Sequence, residues 1–194
     1  NWKGETVPVQ IDSPDSALAD LSRSKGHSPQ LILLSGPPGA GKSSWCLQLA
    51  EEAASLDFVV AGLISPAVFE NGYKIGINLV DQVSGDCRRL AVRSGKAEDG
   101  FKTEQWALDP AALAWGNQIL QAIPACDILI LDELGPLEME QGRGLVAGLD
   151  LIKRRHIPLI VAVVRPRLLP AARQRWPWGR ALMMNHTRTE TGGA

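Results

Sequence analysis

Residues 31–43 read Leu-Ile-Leu-Leu-Ser-Gly-Pro-Pro-Gly-Ala-Gly-Lys-Ser, and this run constrains the architecture more than any other part of the chain. Four consecutive apolar residues before a turn are typical of a parallel strand that is buried on both faces. The eight residues after the first serine match the GxxxxGK[ST] pattern. Residues 42–56 then place Trp45, Leu49 and Ala53 on one face of a helix. A strand, a glycine-rich loop and a helix in this order predict a phosphate-binding loop (P-loop).

The composition of this loop suits a nucleoside triphosphate. Glycines remove the Cβ atoms that would keep backbone N–H groups away from the phosphates, and a helix N-terminus adds unpaired N–H groups and a positive dipole end. We expect Lys42 to reach the β and γ phosphates, Ser43 to place its hydroxyl on Mg²⁺, and Ser44 to add a phosphate contact. The predicted nucleotide-binding residues are Gly36, Pro37, Pro38, Gly39, Ala40, Gly41, Lys42, Ser43 and Ser44.

A second motif lies further along the chain, where residues 127–133 read Asp-Ile-Leu-Ile-Leu-Asp-Glu. A buried strand that ends in two carboxylates is the pattern of a Walker B strand. We expect Asp132 to hold Mg²⁺ through a coordinated water and Glu133 to be the general base that polarises the attacking water. The competing interpretation is a strand that simply ends in a polar turn, since Leu-Gly-Pro follows.

Negative charge on the γ-phosphoryl group in the transition state requires a cation in addition to the loop lysine and the metal. Arg165 is the first candidate, because it follows a predicted strand at the carboxyl edge of the sheet, where ligands bind in open α/β folds. Arg93, after a predicted antiparallel strand, is the second. The predicted catalytic residues are therefore Lys42, Glu133 and Arg165, and the predicted metal ligands are Ser43 and Asp132.

Apolar runs that alternate with helical segments predict an α/β fold, a P-loop NTPase with a mostly parallel sheet and helices on both faces. Residues 73–80 instead alternate mostly between apolar and polar positions, with turn signals on either side, and predict an inserted antiparallel hairpin. The predicted strands cover residues 31–34, 58–64, 73–80, 87–92, 127–131, 158–164 and 180–184. The predicted helices cover residues 42–56, 110–122 and 141–155.

The chain divides into three predicted segments. Residues 1–30 are rich in Ser, Asp, Pro and Gly, with only a weak helical pattern at residues 17–21, and predict an N-terminal arm or linker. Residues 31–186 form the P-loop NTPase domain, in which residues 93–107 are polar and predict a loop. Residues 187–194 predict a disordered tail.

The bulk composition narrows the class of partner. A net charge of -1 argues against a general polyanion binder, so nucleic acid is not an expected partner. No apolar run reaches the roughly 18 residues of a membrane-spanning helix, and the first 30 residues lack a secretory signal pattern. Three cysteines without a CxxC pair predict neither a zinc site nor a disulfide framework. These features favour a cytoplasmic protein.

Residues 151–189 contain several Lys and Arg residues but no acidic residue. This stretch is a solvated basic face, a set of phosphate-facing arginines or a nucleic-acid surface. Within it, the sequence Trp176-Pro177-Trp178 either packs locally, which we favour, or covers a nucleotide base.

In the order of these parts, the sequence resembles the small P-loop NTPase family that includes the human cancer-related nucleoside triphosphatase. Three stretches carry the resemblance. They are the loop at residues 36–43, the segment 61–91 with its Ala-Gly-Leu-Ile-Ser-Pro start, and residues 127–138, where Asp-Glu-Leu-Gly-Pro-Leu-Glu is similar to the family's acidic signature. The resemblance implies slow, rather unselective hydrolysis of nucleoside triphosphates such as ATP and GTP to the diphosphate and phosphate.

The sequence departs from the family pattern in its second stretch. Ala67 and Phe69 stand where the family has Glu and Arg, Lys74 replaces an Arg, and Ile77 replaces a Phe. If the replaced residues recognise the nucleotide or take part in catalysis, the resemblance implies a slower enzyme or a different substrate.

Two other functions remain as alternatives. The first is a P-loop kinase that transfers the γ-phosphoryl group to a small acceptor, with residues 165–180 as an arginine-rich mobile lid. The second is a nucleotide-dependent switch or adaptor with little turnover, which would act through a partner protein or a second domain.

Overall fold

The computed structural model describes residues 13–23, 28–93, 101–102 and 106–185. Within them the strands, in chain order, are β1 Gln30–Ser35, β2 Val60–Ile64, β3 Ala67–Glu70, β4 Tyr73–Asp81, β5 Cys87–Arg93, β6 Phe101–Lys102, β7 Trp106–Leu108, β8 Ile128–Leu134, β9 Leu159–Val164 and β10 Arg180–Met183. The helices are α1 Pro14–Arg23, α2 Lys42–Ser55, α3 Pro110–Gln121, α4 Pro136–Met139, α5 Val146–Arg154 and α6 Leu169–Arg175, with a 3₁₀ turn at Pro166–Leu168 before α6.

One mixed sheet organises the molecule, in the order β10-β1-β9-β8-β2-β4-β5-β7-β6, with β3 paired to β4. The strands from β10 to β2 are parallel to their neighbours. From β2 onwards every pairing is antiparallel within the described residues. The predicted fold class is confirmed, and the antiparallel part is larger than the single hairpin predicted.

Helices cover both faces of the parallel strands, as predicted. In β1, Leu31 and Leu33 face the cluster under α3, α5 and α6, whereas Ile32 and Leu34 face the cluster under α1 and α2. All six residues of β9 are buried. A strand that is apolar on both faces reads as a continuous apolar run, which is why the parallel strands were visible in the sequence.

The prediction of an arm or linker over residues 1–30 is wrong for residues 14–23, which form α1. Ala17, Leu18 and Leu21 are buried on one face of this helix and pack in the core beside α2. The helix is only ten residues long, so its apolar face is short and the polar residues around it obscure the pattern. Residues 1–12 and the predicted tail lie outside the described residues, so these two predictions stand untested.

Four further predictions of helices, strands and loops need correction. The predicted helix 141–155 begins only at Val146, because Gly142 and Gly144 adopt positive φ angles of 62° and 78°. A separate one-turn helix, α4, precedes them. Strand β3 was missed; it forms a hairpin with β4 through an Asn-Gly turn with φ angles of 48° and 78°. The predicted loop 93–107 contains β6 and β7, which are too short to show a periodic pattern.

Among the residues described, no helix has both the length and the hydropathy that crossing a membrane requires. The three cysteines are free thiols.

Candidate active site

The glycine-rich loop lies at the carboxyl end of β1 and leads directly into α2. Gly36, Gly39 and Gly41 have positive φ angles of 151°, 80° and 86°. At Gly36 a Cβ atom would overlap the carbonyl oxygen of Met184, because the Met184 N–H donates to the Ser35 carbonyl oxygen at 2.7 Å and brings the two chains together. Glycine is therefore required at this position by close packing as well as by φ.

Lys42 lies against the inner side of its own loop. Its Nζ donates to the carbonyl oxygens of Gly36 and Pro37, both at 2.8 Å. Burial lowers the pKa of Lys42, and the negative charges of Asp132 and Glu133 oppose that shift. The two acids of the second motif therefore act on the Lys42 ammonium group through their charge. Ser44 is exposed on the first turn of α2.

Asp132 is buried near the end of β8, with 4% of its surface exposed. Its carboxylate accepts a hydrogen bond from the Ser65 N–H at 3.0 Å, and the Ser65 hydroxyl donates to its carbonyl oxygen at 2.8 Å. Burial raises the pKa of Asp132, while hydrogen bonds from Ser43 and Ser65 favour its charged form. The structure therefore brings together Ser43 and Asp132, the two predicted metal ligands.

These two oxygen donors fit Mg²⁺, which takes few protein ligands and completes its octahedron with phosphate and water oxygens. The described part of the chain holds no cluster of three or more His, Cys, Asp or Glu side chains that would make an all-protein metal cage. The donor set suits a cation that arrives with a nucleotide.

Glu133 has a φ of 95°, which is strained for a residue with a side chain. Its carboxylate forms an ion pair with Arg165, at 2.6 Å between Oε1 and Nη2. The charges of both side chains affect the pKa of Lys42 in the P-loop. Glu133 and Arg165, two of the three predicted catalytic residues, are thus joined to each other. Strain at an active-site acid is common where the backbone must aim a side chain away from its own strand.

Arg93, the second candidate cation, lies elsewhere. Its Nε donates to the Lys74 carbonyl oxygen at 3.2 Å, and its guanidinium lies 6.0 Å from the Trp106 ring centre. The Lys74 ammonium lies 4.9 Å from the same ring. The positive charge of Lys74 is among the causes that lower the pKa of Lys42. Lys74 and Arg93 thus share the Trp106 ring, and the sequence had marked Lys74 only as a departure from the family.

Sequence reasoning gave no role to Glu138, which is 6% exposed. Its carboxylate accepts hydrogen bonds from the N–H groups of Gly135 at 2.8 Å and Leu145 at 2.9 Å. A Cβ atom on Gly144 would overlap this carboxylate. Glu138 thus holds the loop after Glu133 to the start of α5. Its spacing of three residues from Gly135, at the start of α4, is the capping-box signal that could have revealed it.

Several arginines of the basic stretch are paired in the part of the chain that the structure describes. Arg167 pairs with Glu140 at 3.3 Å and Arg180 with Asp20 at 3.7 Å. Trp176 is buried in the core, and Arg155 lies 4.3 Å from the Trp178 ring centre. The local-packing interpretation of the two tryptophans is confirmed. The lid interpretation is wrong, because Leu168, Ala172 and Trp176 anchor residues 166–176 in the core.

The parallel sheet and the loop after β1 define the class, a P-loop nucleotide-binding protein. Comparison with known proteins agrees. The sequence profile of the NTPase family matches residues 31–176. A nucleoside-triphosphatase THEP1 from Methanopyrus kandleri is 30% identical over 138 residues, which are 70% of this chain and 73% of the relative. A second THEP1, from Ignicoccus hospitalis, is 32% identical over 109 residues, 56% of this chain and 61% of the relative.

A solved structure, that of a human cancer-related nucleoside triphosphatase, superimposes with a TM-score of 0.60. The match covers 84% of this chain and 90% of the human chain at 19% identity, and it supports the fold. The chain belongs to the NTPase family, and the resemblance drawn from its motifs is confirmed.

Proposed function

We propose that this protein hydrolyses nucleoside triphosphates, ATP or GTP among them, to the diphosphate and phosphate, and that it uses Mg²⁺. Family membership supports the reaction. One observation carries the assignment of residues: the P-loop, Arg165 and the acids Asp132 and Glu133 lie at the carboxyl ends of three neighbouring parallel strands, β1, β9 and β8. A phosphate-binding cation, a buried metal-binding carboxylate and a second carboxylate are the groups that hydrolysis of a phosphoanhydride needs.

In this proposal the backbone N–H groups of residues 36–44 wrap the phosphates, and Lys42 leaves the loop carbonyls to contact the β and γ phosphates. Ser43 and Asp132 hold Mg²⁺, which would neutralise charge on the β and γ phosphates. The hydrogen bonds that Asp132 receives from Ser43 and Ser65 favour the charged form of its carboxylate and oppose the effect of its burial.

Glu133 is the proposed general base, and Arg165 is the proposed cation for the charge that develops on the γ-phosphoryl group. Glu133 accepts a proton from the attacking water, and Arg165 donates hydrogen bonds to a γ-phosphate oxygen. Their ion pair holds both side chains in place, and it must open for each to reach its target. About a third of the Glu133 side chain is exposed, so water can reach the carboxylate.

The expectations about cellular location and about partners are also proposals. Free thiols and the absence of a spanning helix among the described residues support a cytoplasmic location. The net charge of -1 and the paired arginines argue against nucleic acid as a partner. A partner protein or second domain would be needed only for a switch or adaptor, and the catalytic arrangement favours turnover.

The test is phosphate release from ATP, GTP, CTP and UTP with Mg²⁺, together with nucleotide binding by equilibrium dialysis. We expect the Glu133→Gln variant to bind nucleotide normally while kcat falls roughly 10²–10⁴-fold, the usual contribution of a general base. The Lys42→Ala variant should lose both binding and turnover. Lys153→Ala, which alters an exposed lysine at the end of α5, is the control and should match the wild type.

Binding without phosphate release by the wild type would contradict hydrolysis as the unaided activity. Full activity of Glu133→Gln would contradict its role as base while leaving the reaction itself intact.

A further inference from the structure

Strand β8 is irregular at the point where it carries Glu133. Leu131 pairs with Ala162 of β9. The next pairing joins Leu134 to Val164, so two residues of β8 lie opposite one residue of β9. An extra residue of this kind redirects a side chain from its regular position in a strand. The φ of 95° at Glu133 lies within the same irregularity, so the direction of its carboxylate depends on what holds the backbone on either side.

Hydrogen bonds fix the backbone on both sides of Glu133. Before it, Ser65 bonds to the carboxylate and to the carbonyl oxygen of Asp132. After it, the Gly135 N–H donates to the Glu138 carboxylate at 2.8 Å. A pocket of about 40 Å³ borders this turn and is lined by Glu133, Gly135 and Glu138 among others. Unfilled space gives little packing restraint, so the turn depends at this point on the hydrogen bond to Glu138.

The Glu138 side chain is itself held from a second direction. Its other carboxylate oxygen accepts from the Leu145 N–H at 2.9 Å. Asn117 of α3 fixes the same segment, because its side chain donates to the Gly144 carbonyl oxygen at 2.8 Å and accepts from the Ala147 N–H at 2.9 Å. A single buried carboxylate therefore joins the end of β8 to the start of α5, and both of its oxygens are used.

We propose that Glu138 is a positioning residue for hydrolysis, which holds the Gly135 N–H and thereby fixes the turn that directs Glu133 at the attacking water. Glu138 transfers no proton in this proposal and acts only through Glu133. The inference rests on the proposed function, in which Glu133 is the general base. A displacement of about 1 Å in a reacting group can lower the rate roughly 10²-fold, so a hydrogen bond behind the base can affect turnover.

The experiment is a double-mutant cycle of Glu133→Gln, Glu138→Gln and the two together, with kcat and KM measured by phosphate release from ATP with Mg²⁺. The Glu138→Gln variant keeps the size of the side chain, but an amide nitrogen cannot accept from an N–H, so one of the two hydrogen bonds is lost. We expect kcat to fall about 10- to 100-fold, with KM changed less than twofold.

The cycle tests whether Glu138 acts through Glu133. In the Glu133→Gln background the Glu138→Gln substitution should lower kcat less than twofold, because the side chain that it displaces no longer acts as a base. Equal losses of kcat in the two backgrounds would overturn the inference. A larger loss in Glu138→Gln than in Glu133→Gln would also overturn it, since Glu138 would then act by itself.

The matched control is Asn117→Ala, which loosens the start of α5 and does not alter the hydrogen bond to Gly135. Urea denaturation should show that Asn117→Ala and Glu138→Gln are both less stable than the wild type. At a temperature where both are folded, Asn117→Ala should change kcat less than twofold. A loss of kcat as large as that of Glu138→Gln would assign the effect to the position of α5 and overturn the inference.

A second variant keeps the test decisive if Glu138→Gln does not fold. Glu138→Asp retains two acceptor oxygens on a side chain that is one methylene shorter, so the hydrogen bonds are lengthened. We expect a smaller loss of kcat than in Glu138→Gln, and again no further loss in the Glu133→Gln background. Losses that add independently in this second cycle would contradict the positioning role.

The inference and the proposed function fail in different ways. A slow Glu133→Gln variant beside a fully active Glu138→Gln variant would overturn the positioning role and leave hydrolysis with Glu133 as base standing. Full activity of Glu133→Gln would contradict the role of Glu133 as base and, with it, the inference. A wild type that releases no phosphate would overturn the proposed function itself.

Discussion

The parallel and antiparallel halves of the sheet are built on different principles. The parallel half, from β10 to β2, is apolar on both faces, and its carboxyl edge carries the P-loop, Asp132, Glu133 and Arg165. The antiparallel half is partly exposed. Phe69 and Tyr73, at the β3–β4 hairpin, are 64% and 74% exposed. Three of its cations, Lys74, Arg88 and Arg93, lie over tryptophan rings.

The two halves of the sheet are suited to different tasks. Binding a triphosphate needs fixed backbone geometry, which a sheet buried on both faces provides. The antiparallel strands instead supply part of the lining of a pocket beside Glu133, a wall whose residues can vary without disturbing that geometry. The departures from the family pattern, at Ala67, Phe69, Lys74 and Ile77, all fall in this second half. Changes in the parallel half should therefore reduce catalysis or stability strongly, and changes in the antiparallel half should have milder effects.

The largest expected effect is on catalysis at the carboxyl edge of the parallel half. Arg165→Met removes the cation that pairs with Glu133, and kcat should fall about 10²–10³-fold, as when a transition-state hydrogen-bond donor is removed. Steady-state phosphate release checks this. Arg167→Met, which breaks an exposed pair with Glu140 at 3.3 Å, is the control and should change kcat less than twofold. Equal effects of the two substitutions would mean that Arg165 does not act on the reacting group.

Alanine substitutions at two glycines with positive φ, one in each half of the sheet, compare how tightly the two halves are packed. Gly36→Ala puts a Cβ atom into the Met184 carbonyl oxygen, so strain and overlap together should lower the free energy of unfolding by about 2–4 kcal/mol. Gly72→Ala, in the β3–β4 turn, has a φ of 78° and no atom within 4 Å of the new Cβ, so only strain of about 1 kcal/mol is expected. Urea denaturation measures both. A Gly72 variant as unstable as the Gly36 variant would refute the contrast.

A smaller effect is expected from Glu138, where the two halves meet. Glu138→Gln weakens the hydrogen bonds to Gly135 and Leu145 and should cost about 1–3 kcal/mol of unfolding free energy near pH 5. Glu140→Gln, at an exposed glutamate nearby, should be neutral. Urea titrations of both variants give the comparison.

Glu138 also predicts a pH dependence. Burial raises its pKa in the folded protein, so the folded protein binds more protons than the unfolded chain between the ordinary and the raised pKa. The contribution of Glu138 to stability is therefore complete below the ordinary glutamate pKa and is lost as the pH rises through the raised value. We expect wild-type stability to fall with pH in this window more steeply than that of Glu138→Gln. Parallel slopes for the two proteins would contradict the assignment to Glu138.

The smallest effect is expected in the antiparallel half. Lys74→Met removes a positive charge that acts on Lys42 and the contact with Trp106, and KM for ATP should rise about two- to fivefold, equivalent to roughly 0.5–1 kcal/mol. Arg88→Met removes a similar contact, 4.8 Å from the Trp115 ring centre, on the next strand. It should leave KM unchanged. Phosphate-release kinetics of the two variants decide whether Lys74 contributes to the site.

Features formed within one short segment of the chain could be predicted from the sequence, whereas features formed by packing between distant segments could not. The P-loop is one contiguous segment whose glycines, lysine and serine have local reasons to be where they are, and the parallel strands read as unbroken apolar runs. The N-cap of α3 is equally local: Asp109 accepts a hydrogen bond from the Ala111 N–H at 2.8 Å, just before the start of the predicted helix 110–122. The short β6 and β7 and the single apolar face of α1 carry too little local signal, and their structure follows from the neighbours on which they pack.

The sequence by itself therefore determined the strand–loop–helix unit at residues 31–55 and the acids at the end of β8, because period, turn chemistry and motif spacing are properties of short segments. Only the tertiary structure decided that Arg165 pairs with Glu133, that Lys74 lies over the Trp106 ring, and that Glu138 ties the loop to α5. Each of these contacts joins side chains whose positions are set by strand order and register. Burial and the field of neighbouring charges act through space, and the linear order of residues does not encode those distances.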